Sequence, residues 1–209
     1  MDSLARSARA RLGVPSDRPV IASVGLIRAY KNIPHLIRMF RALEIDATLL
    51  IAGKVSPPSL EDEIRAAAGG DERIVLDLRF MPDQDLPIVL EASDLIVLPY
   101  TRIQNSGSAI LAASADRPVL VPALGAMKEL REQLGREWVR TFDGELSEDD
   151  LAEAIAWATR PGRPERADLS SLDWDAIAER TLAAYQEFRR SSRGWPASRS
   201  VSLTTHRGS

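Results

Sequence analysis

Short apolar runs alternate with segments of helical periodicity along most of this chain, and this alternation limits its fold more than any other feature. The strand-like runs span 19–26, 47–53, 73–80, 94–99, 117–123 and 137–143. The helix-like segments span 32–43, 59–70, 82–93, 107–115, 126–135, 147–160 and 173–190. Continuous apolar strands separated by helices are typical of parallel sheets that are covered on both faces. The sequence therefore predicts an α/β fold with a Rossmann-like doubly wound parallel sheet in three α/β/α layers.

The two ends of the chain depart from this pattern. Residues 1–18 have the character of a linker, and residues 191–209 are rich in Ser and Arg without periodicity. A segment of the second kind buries too little apolar surface to fold. We therefore predict one Rossmann-like domain over 19–190, preceded by a linker-like segment and followed by a disordered tail.

Composition excludes several classes of function. The formal net charge is −3 and there is no cysteine, so we expect neither a nucleic-acid partner nor thiolate chemistry. The two histidines, His35 and His206, are far apart in the sequence, and we expect no metal or other cofactor. No apolar run approaches the roughly 20 residues of a transmembrane helix, and the N-terminus lacks the apolar centre of a signal peptide. We expect a cytoplasmic protein that reaches a membrane only through a partner.

A polar loop and a helix of small residues lie between two of the predicted strands. The stretch 99–122 places Asn105, Ser106, Gly107 and Ser108 at the start of this helix. Ligands of open parallel sheets bind beyond the carboxyl ends of the strands, and the unpaired N–H groups of a helix N-terminus favour anions. The sequence is therefore compatible with a phosphate site. The alternative is that a polar residue only caps the helix while the glycine permits close packing.

A second loop points to the same chemistry. Residues 24–33 leave the first strand at Gly25 and reach the next helix through Arg28 and Lys31. Two cations behind a glycine turn are suited to neutralising a diphosphate. The alternative is that both are solvated loop charges. Because both loops follow strands at one edge of the sheet, together they favour a diphosphate site.

The motifs, taken in series, resemble those of a known family. They are VGLIRAYKNI, TLLIAG, RIVLDLRFMPDQDL, ASDLIVLPY, NSGSAILAAS, RPVLVP and GAMKEL. This order resembles the C-terminal, nucleotide-sugar-binding domain of family-4-type glycosyltransferases, the glycosyl transferases of group 1. The resemblance covers roughly residues 8–190 and implies one half of the two-domain GT-B fold.

The resemblance also implies roles for individual residues. Lys31 matches the family lysine that binds the donor diphosphate. Arg28 replaces the arginine that usually follows the glycine, where this chain has Leu26. Arg28 and Lys31 are therefore the expected catalytic residues, because they stabilise negative charge on the leaving diphosphate. The expected donor-binding residues are Gly25, Arg28, Lys31, Gln104, Asn105, Ser106, Gly107, Ser108, Ala109 and Glu129.

Several positions depart from the family pattern or admit another interpretation. The family commonly has two glutamates eight positions apart, and this chain has Gln104 and Ala112 there. An amide still hydrogen-bonds sugar hydroxyls, whereas alanine cannot hold a ribose. Glu129 matches a glutamate of the next donor loop but is equally explained as a solvated helix residue. Phe80 and Met81 fall where the nucleotide base lies in the family, and core packing explains them equally well.

The N-terminal, acceptor-binding domain of the family has no counterpart in this sequence. We therefore expect a fragment or half-enzyme that needs such a domain or a partner chain. The first hypothesis is a donor-binding domain of a hexosyltransferase, which takes its sugar from a nucleotide-diphosphate sugar in polysaccharide biosynthesis. The alternative is a non-catalytic module that binds a nucleotide-sugar or a partner chain, which the missing glutamates favour. Whether the chain is an enzyme stays open, as do the sugar, the base and the acceptor.

Overall fold

Parallel strands form the centre of the molecule. The computed structural model describes residues 3–82, 85–102 and 107–170. Its strands are β1 (Val20–Val24), β2 (Thr48–Ala52), β3 (Ile74–Asp77), β4 (Leu95–Val97), β5 (Val119–Pro122) and β6 (Val139–Phe142). They form a six-stranded sheet in the order β3-β2-β1-β4-β5-β6, and all neighbouring strands are parallel. This order confirms the predicted Rossmann-like doubly wound sheet.

Helices connect the strands and cover the sheet. They are α1 (Ser3–Leu12), α2 (Ile33–Ala42), α3 (Ser59–Ala68), α4 (Leu86–Ala92), α5 (Gly107–Ser114), α6 (Met127–Leu134) and α7 (Glu148–Thr159), with a 3-10 turn at Ala29–Lys31. In the ranges that the structure describes, every helix is too short or too polar to cross a bilayer.

One hydrophobic core forms where α2, α3 and α7 pack on a single face of the sheet. Successive strand residues point to opposite faces, so alternate residues such as Leu49 and Ile51 enter this core. From α2, the side chains of Leu36, Ile37 and Phe40 are completely buried against them. The predicted helical spacing of segment 32–43 is therefore the spacing of a buried face.

Capping signals in the sequence agree with the structure at the start of α7 but not at the start of α3. Ser147 and Asp150 form a reciprocal capping box at the start of α7, which satisfies two N–H groups that would otherwise lack partners. Segment 59–70 begins with Ser59 and an acidic first turn, a pattern that predicts Ser59 as the cap of α3, and this prediction is wrong. The cap position is Pro58, which makes no side-chain capping bond, and Ser59 is the first helical residue.

A partly buried ion pair attaches α1 to the rest of the fold. Arg9 is 3% exposed, donates from Nε to the carbonyl of Ala92 at 2.9 Å, and pairs through Nη2 with Asp94 Oδ2 at 2.7 Å. The same carboxylate oxygen accepts the backbone N–H of Val20 at 2.7 Å. One aspartate therefore ties α1 to the first residue of β1.

Trp138, Trp157 and Trp174 lie on apolar faces of the sequence pattern, which predicts that they are packing residues, and the first two are buried. Trp138 and Trp157 are 4% and 8% exposed. The guanidinium of Arg163 lies 5.8 Å and 4.9 Å from their ring centroids and donates to the carbonyls of Glu137, Trp157 and Ala158. This contact fixes the chain after α7. Trp174 lies outside the described residues.

Two glycines allow β1 and β2 to leave the sheet in close contact. Gly25 follows β1 and Gly53 follows β2, and both have positive φ, at 102° and 142°. A Cβ on Gly53 would lie 2.8 Å from the carbonyl carbon of Gly25 and closer still to its oxygen. Because both groups are backbone, they cannot move aside without disturbing the two strands.

We therefore predict that Gly53→Ala destabilises the protein by about 3 kcal/mol or more, since backbone strain and a backbone clash act together. Gly70→Ala is the matched control. Gly70 also has positive φ, 77°, but an added Cβ would have no neighbour within 4 Å, so we expect a loss of about 1 kcal/mol. Urea unfolding of both variants measures the difference. Equal losses would contradict the proposed clash.

Candidate functional site

The site predicted from the sequence lies where the strand order reverses. The chain proceeds outward from β1 to β3 and then returns to β4 on the other side of β1. In such a sheet a crevice opens beyond the carboxyl ends of the two strands at the reversal. The loop after β1 carries Gly25, Arg28 and Lys31, and the connection after β4 leads into α5. The topology therefore brings the two predicted loops to one crevice.

Gly25 lies between a cation and a hydroxyl. A Cβ added to Gly25 would be 3.6 Å from Nζ of Lys31 and 3.7 Å from Oγ of Ser108. The ammonium from the first loop and the hydroxyl from α5 thus flank one point above the backbone of Gly25. We call this arrangement the Gly25 cradle. Since glycine leaves that point without a side chain, a ligand atom there would meet both polar groups.

Lys31 is a buried cation without a carboxylate partner in the described part of the chain. It is 7% exposed, and burial lowers its pKa from the usual 10.5. Its Nζ lies 5.1 Å from the centroid of the Tyr100 ring, a contact that stabilises a cation far less than a carboxylate would. A desolvated, unneutralised ammonium at a crevice is well placed to bind an anion.

Tyr100 also belongs to the site because its ring lies beside Lys31, although no role was predicted for it from the sequence. It lies three residues beyond the end of β4, is buried, and packs edge to face on Tyr30, with 5.7 Å between the ring centroids. Its neighbour Thr101 donates its backbone N–H to the carbonyl of Tyr30 at 2.8 Å. These contacts hold the loop after β4 against the loop that carries Lys31. The signal in the sequence was the position of this tyrosine directly after the apolar run 94–99, which predicts a strand that ends at the crevice.

Arg28 differs from Lys31 in its surroundings. It is exposed, and none of the ion pairs within the described residues includes it. It also lies more than 4 Å from the position of a Cβ built on Gly25, the position that the ammonium of Lys31 and the hydroxyl of Ser108 flank. The structure therefore brings Lys31, but not Arg28, into the cradle.

The start of α5 is open on its outer side. Gly107 is the first helical residue, and a Cβ there would have no neighbour within 4 Å among the described atoms. Ser108 is half-buried and faces the cradle, whereas Ala109 is fully buried. Gln104, Asn105 and Ser106 lie outside the described residues.

Other positions named from the sequence lie elsewhere or have other roles. Ala112 is completely buried within α5. Glu129 is exposed in the first turn of α6 and lies beyond 4 Å from the cradle point. Met81 is buried, but Phe80 is 69% exposed, so the interpretation of Phe80 as a core residue is wrong. It extends from the end of β3, an edge strand with only half-buried residues.

In the described ranges, acidic and histidine side chains form no cluster of three or more that could hold a metal ion. His35 is held by other contacts. Its Nε2 lies 2.6 Å from the carbonyl oxygen of Leu146, and its Nδ1 lies 3.7 Å from Glu145.

Comparison with known proteins identifies the family. The chain matches the family model of the glycosyl transferases group 1 over residues 5–170 and belongs to that family. It is 31% identical over 164 residues to a GDP-mannose:glycolipid 4-beta-D-mannosyltransferase of Xanthomonas campestris pv. campestris, covering 78% of this chain and 47% of the relative. It is also 31% identical over 209 residues to a D-inositol 3-phosphate glycosyltransferase of Salinispora tropica, covering 86% and 40%. The chain thus spans less than half the length of these curated relatives.

Solved structures agree on the fold. The C-terminal domain of a glycosyl transferase group 1 family protein from Francisella tularensis superposes with a TM-score of 0.57 at 18% identity, covering 74% of this chain and 82% of that domain. The catalytic domain of starch synthase IV from Arabidopsis thaliana superposes with a TM-score of 0.67 at 18% identity, covering 91% and 42%. The chain therefore has the fold of the C-terminal half of a GT-B glycosyltransferase.

The burial of Lys31 leads to a prediction about pH. Because burial lowers its pKa, the unfolded chain binds more protons than the folded chain between the lowered pKa and the ordinary value of 10.5. The contribution of Lys31 to the free energy of unfolding therefore rises with pH through that window and is least favourable below it. Lys31→Met has a similar volume and lacks this dependence.

Urea unfolding of both proteins, between neutral pH and pH 10.5, measures the difference in stability. We expect the parent chain to gain stability relative to Lys31→Met as pH rises. Two parallel pH curves would show that the ammonium is not desolvated.

Proposed function

We propose that this chain is the donor-binding domain of a glycosyltransferase that takes a sugar from a nucleoside-diphosphate sugar. The observation that carries the proposal is the Gly25 cradle, which combines a buried ammonium, a hydroxyl and a bare backbone at the carboxyl edge of a doubly wound sheet. That combination suits the oxygens of a diphosphate, which accept charge-assisted hydrogen bonds from both side chains. Membership of the glycosyl transferases group 1 makes this diphosphate the leaving group of a sugar donor.

The proposed chemistry follows from where charge develops. Cleavage of the sugar–phosphate bond leaves negative charge on the diphosphate. The Lys31 ammonium is fixed in advance by burial and by the Tyr100 ring, so it stabilises this charge without reorganisation. Ser108 at the start of α5 lies at the cradle, so the first N–H groups of α5 would add the positive end of a helix dipole. Arg28, which is exposed, would join them by folding its flexible side chain over the bound diphosphate.

We further propose that the donor nucleotide is a guanosine diphosphate. This finer proposal is supported by the similarity to a relative described as using GDP-mannose, at 31% identity over 164 residues. We also propose that the acceptor is bound by a domain or partner chain outside this sequence, because the curated relatives are more than twice as long as the part that the chain matches.

A second candidate function is a non-catalytic nucleotide-sugar-binding module. Gln104 and Ala112 favour this alternative, because they occupy the two positions where the enzymes that this chain resembles commonly have glutamates. The fully buried Ala112 offers no group to a ribose. Under this alternative the chain would bind a nucleotide-sugar and regulate or complete another chain, without transferring the sugar.

The first prediction of this proposal concerns Lys31. We expect calorimetric titration with GDP-mannose, UDP-glucose and ADP-glucose to show saturable binding, with GDP-mannose bound most tightly. Lys31→Met should weaken that binding about tenfold or more, because it removes a charge-assisted hydrogen bond, while the melting temperature stays at or above that of the parent because a desolvated charge is removed. Arg28→Ala should weaken binding by a smaller factor.

Lys54→Met is the matched control. Lys54 follows β2 at the same edge of the sheet, but it is exposed, so its loss should leave affinity unchanged. Equal loss of affinity in Lys31→Met and Lys54→Met would contradict a specific role for Lys31, because any positive charge at this edge would then have the same effect. Failure of all three nucleotide-sugars to bind would overturn the proposed donor site of this chain.

The second prediction separates recognition of the sugar from recognition of the nucleotide. If Gln104 hydrogen-bonds the sugar, Gln104→Ala should weaken GDP-mannose several-fold and leave GDP unchanged. Gln133→Ala, at an exposed position of α6, is the control and should alter neither. Parallel loss of GDP and GDP-mannose affinity in Gln104→Ala would exclude a contact with the sugar.

A further inference from the structure

A basic cavity lies at the far edge of the sheet, between α6 and the edge strand β6. It has a volume of about 450 Å³, and its polar lining comprises Lys128, Arg131, Glu132, Arg136, Thr141 and Asp143. We call it the α6–β6 groove. It shares no lining residue with the Gly25 cradle, and β4 and β5 separate β6 from β1. Any ligand of this groove is therefore distinct from the proposed donor diphosphate.

Arg131 is the central cation of the α6–β6 groove. Its Nη1 donates to Oγ1 of Thr141 at 3.0 Å, which fixes the plane of the guanidinium. Its Nε is buried and has no hydrogen-bond partner, and Arg131 takes part in none of the ion pairs within the described residues. A half-buried guanidinium without a carboxylate partner carries a positive charge that a bound oxyanion would neutralise.

The neighbouring cations divide into two groups. Arg140 pairs with Glu153, and Arg160 pairs with Glu137, along the adjoining surface of β6. Lys128 and Arg136 form no ion pair in the ranges that the structure describes. The cations without an ion-pair partner therefore lie around the cavity, whereas those along the adjoining surface of β6 are paired.

We propose that the α6–β6 groove binds the phosphate group of a small phosphate ester. Arg131 anchors the phosphate through the terminal N–H groups of its guanidinium, which Thr141 holds in place, and Thr141 supplies a hydroxyl donor. Lys128 and Arg136 neutralise the remaining charge. Glu132 and Asp143 also line the groove, so its three cations face two carboxylates. This balance favours a single phosphate over a polyanion, and the cavity leaves room for the attached organic group.

The test uses the whole chain carrying Lys31→Met, so that the proposed donor site cannot contribute. Calorimetric titration with glycerol 3-phosphate and with inorganic phosphate should show saturable binding. Replacing Arg131 with Met should weaken glycerol 3-phosphate at least fivefold. Lys128→Met, an exposed helix position that carries little risk to folding, should weaken it two- to fivefold.

Arg140→Met is the matched control, because its guanidinium is already paired with Glu153, and it should leave affinity unchanged. Cosedimentation with phosphatidic acid vesicles distinguishes a lipid phosphate from a soluble ester, and dependence on Arg131 in either case supports the proposal. Absence of saturable binding would overturn it. Equal weakening by Arg140→Met would overturn it as well, because the effect would then be one of surface charge in general.

Discussion

The contact between Gly25 and Gly53 is the constraint on which the candidate site depends. The carbonyl of Gly25 occupies the space where a side chain on Gly53 would lie, so β1 and β2 leave the sheet in a single arrangement. That arrangement turns the loop after β1 towards β4, where Lys31 rests on Tyr100 and reaches the start of α5. A side chain on Gly53 would displace the backbone of Gly25, the residue that Lys31 and Ser108 flank.

Arg9 and Lys31, the two most buried cations among the described residues, differ in their partners. Arg9, 3% exposed, is fully paired and serves to attach α1. Lys31, 7% exposed, has aromatic neighbours and no carboxylate among the described residues. An unpaired buried charge costs stability, and such costs are found at sites that a ligand completes. This difference in pairing is the physical reason for regarding Lys31, rather than Arg9, as functional.

Much of the fold was predictable because it depends on local patterns. Continuous apolar runs marked the strands, and the spacing 33, 36, 37 and 40 marked the buried face of α2. The convergence of Gly25, Lys31 and Ser108 followed from the rule that loops at one sheet edge meet. Tyr100 received no role. Only one of the two interpretations of Phe80, core packing, was wrong, because the direction of a side chain after a strand is decided by tertiary contacts. The cap of α3 was misplaced because Pro58, with its fixed φ, already begins the turn.

The central claim is that the Gly25 cradle receives the diphosphate of a nucleotide. A crystal structure of this chain with guanosine diphosphate tests it most directly. The account predicts that the terminal phosphate lies over the backbone of Gly25, within hydrogen-bonding distance of both Nζ of Lys31 and Oγ of Ser108. A nucleotide bound elsewhere, with neither group in contact with phosphate, would contradict it.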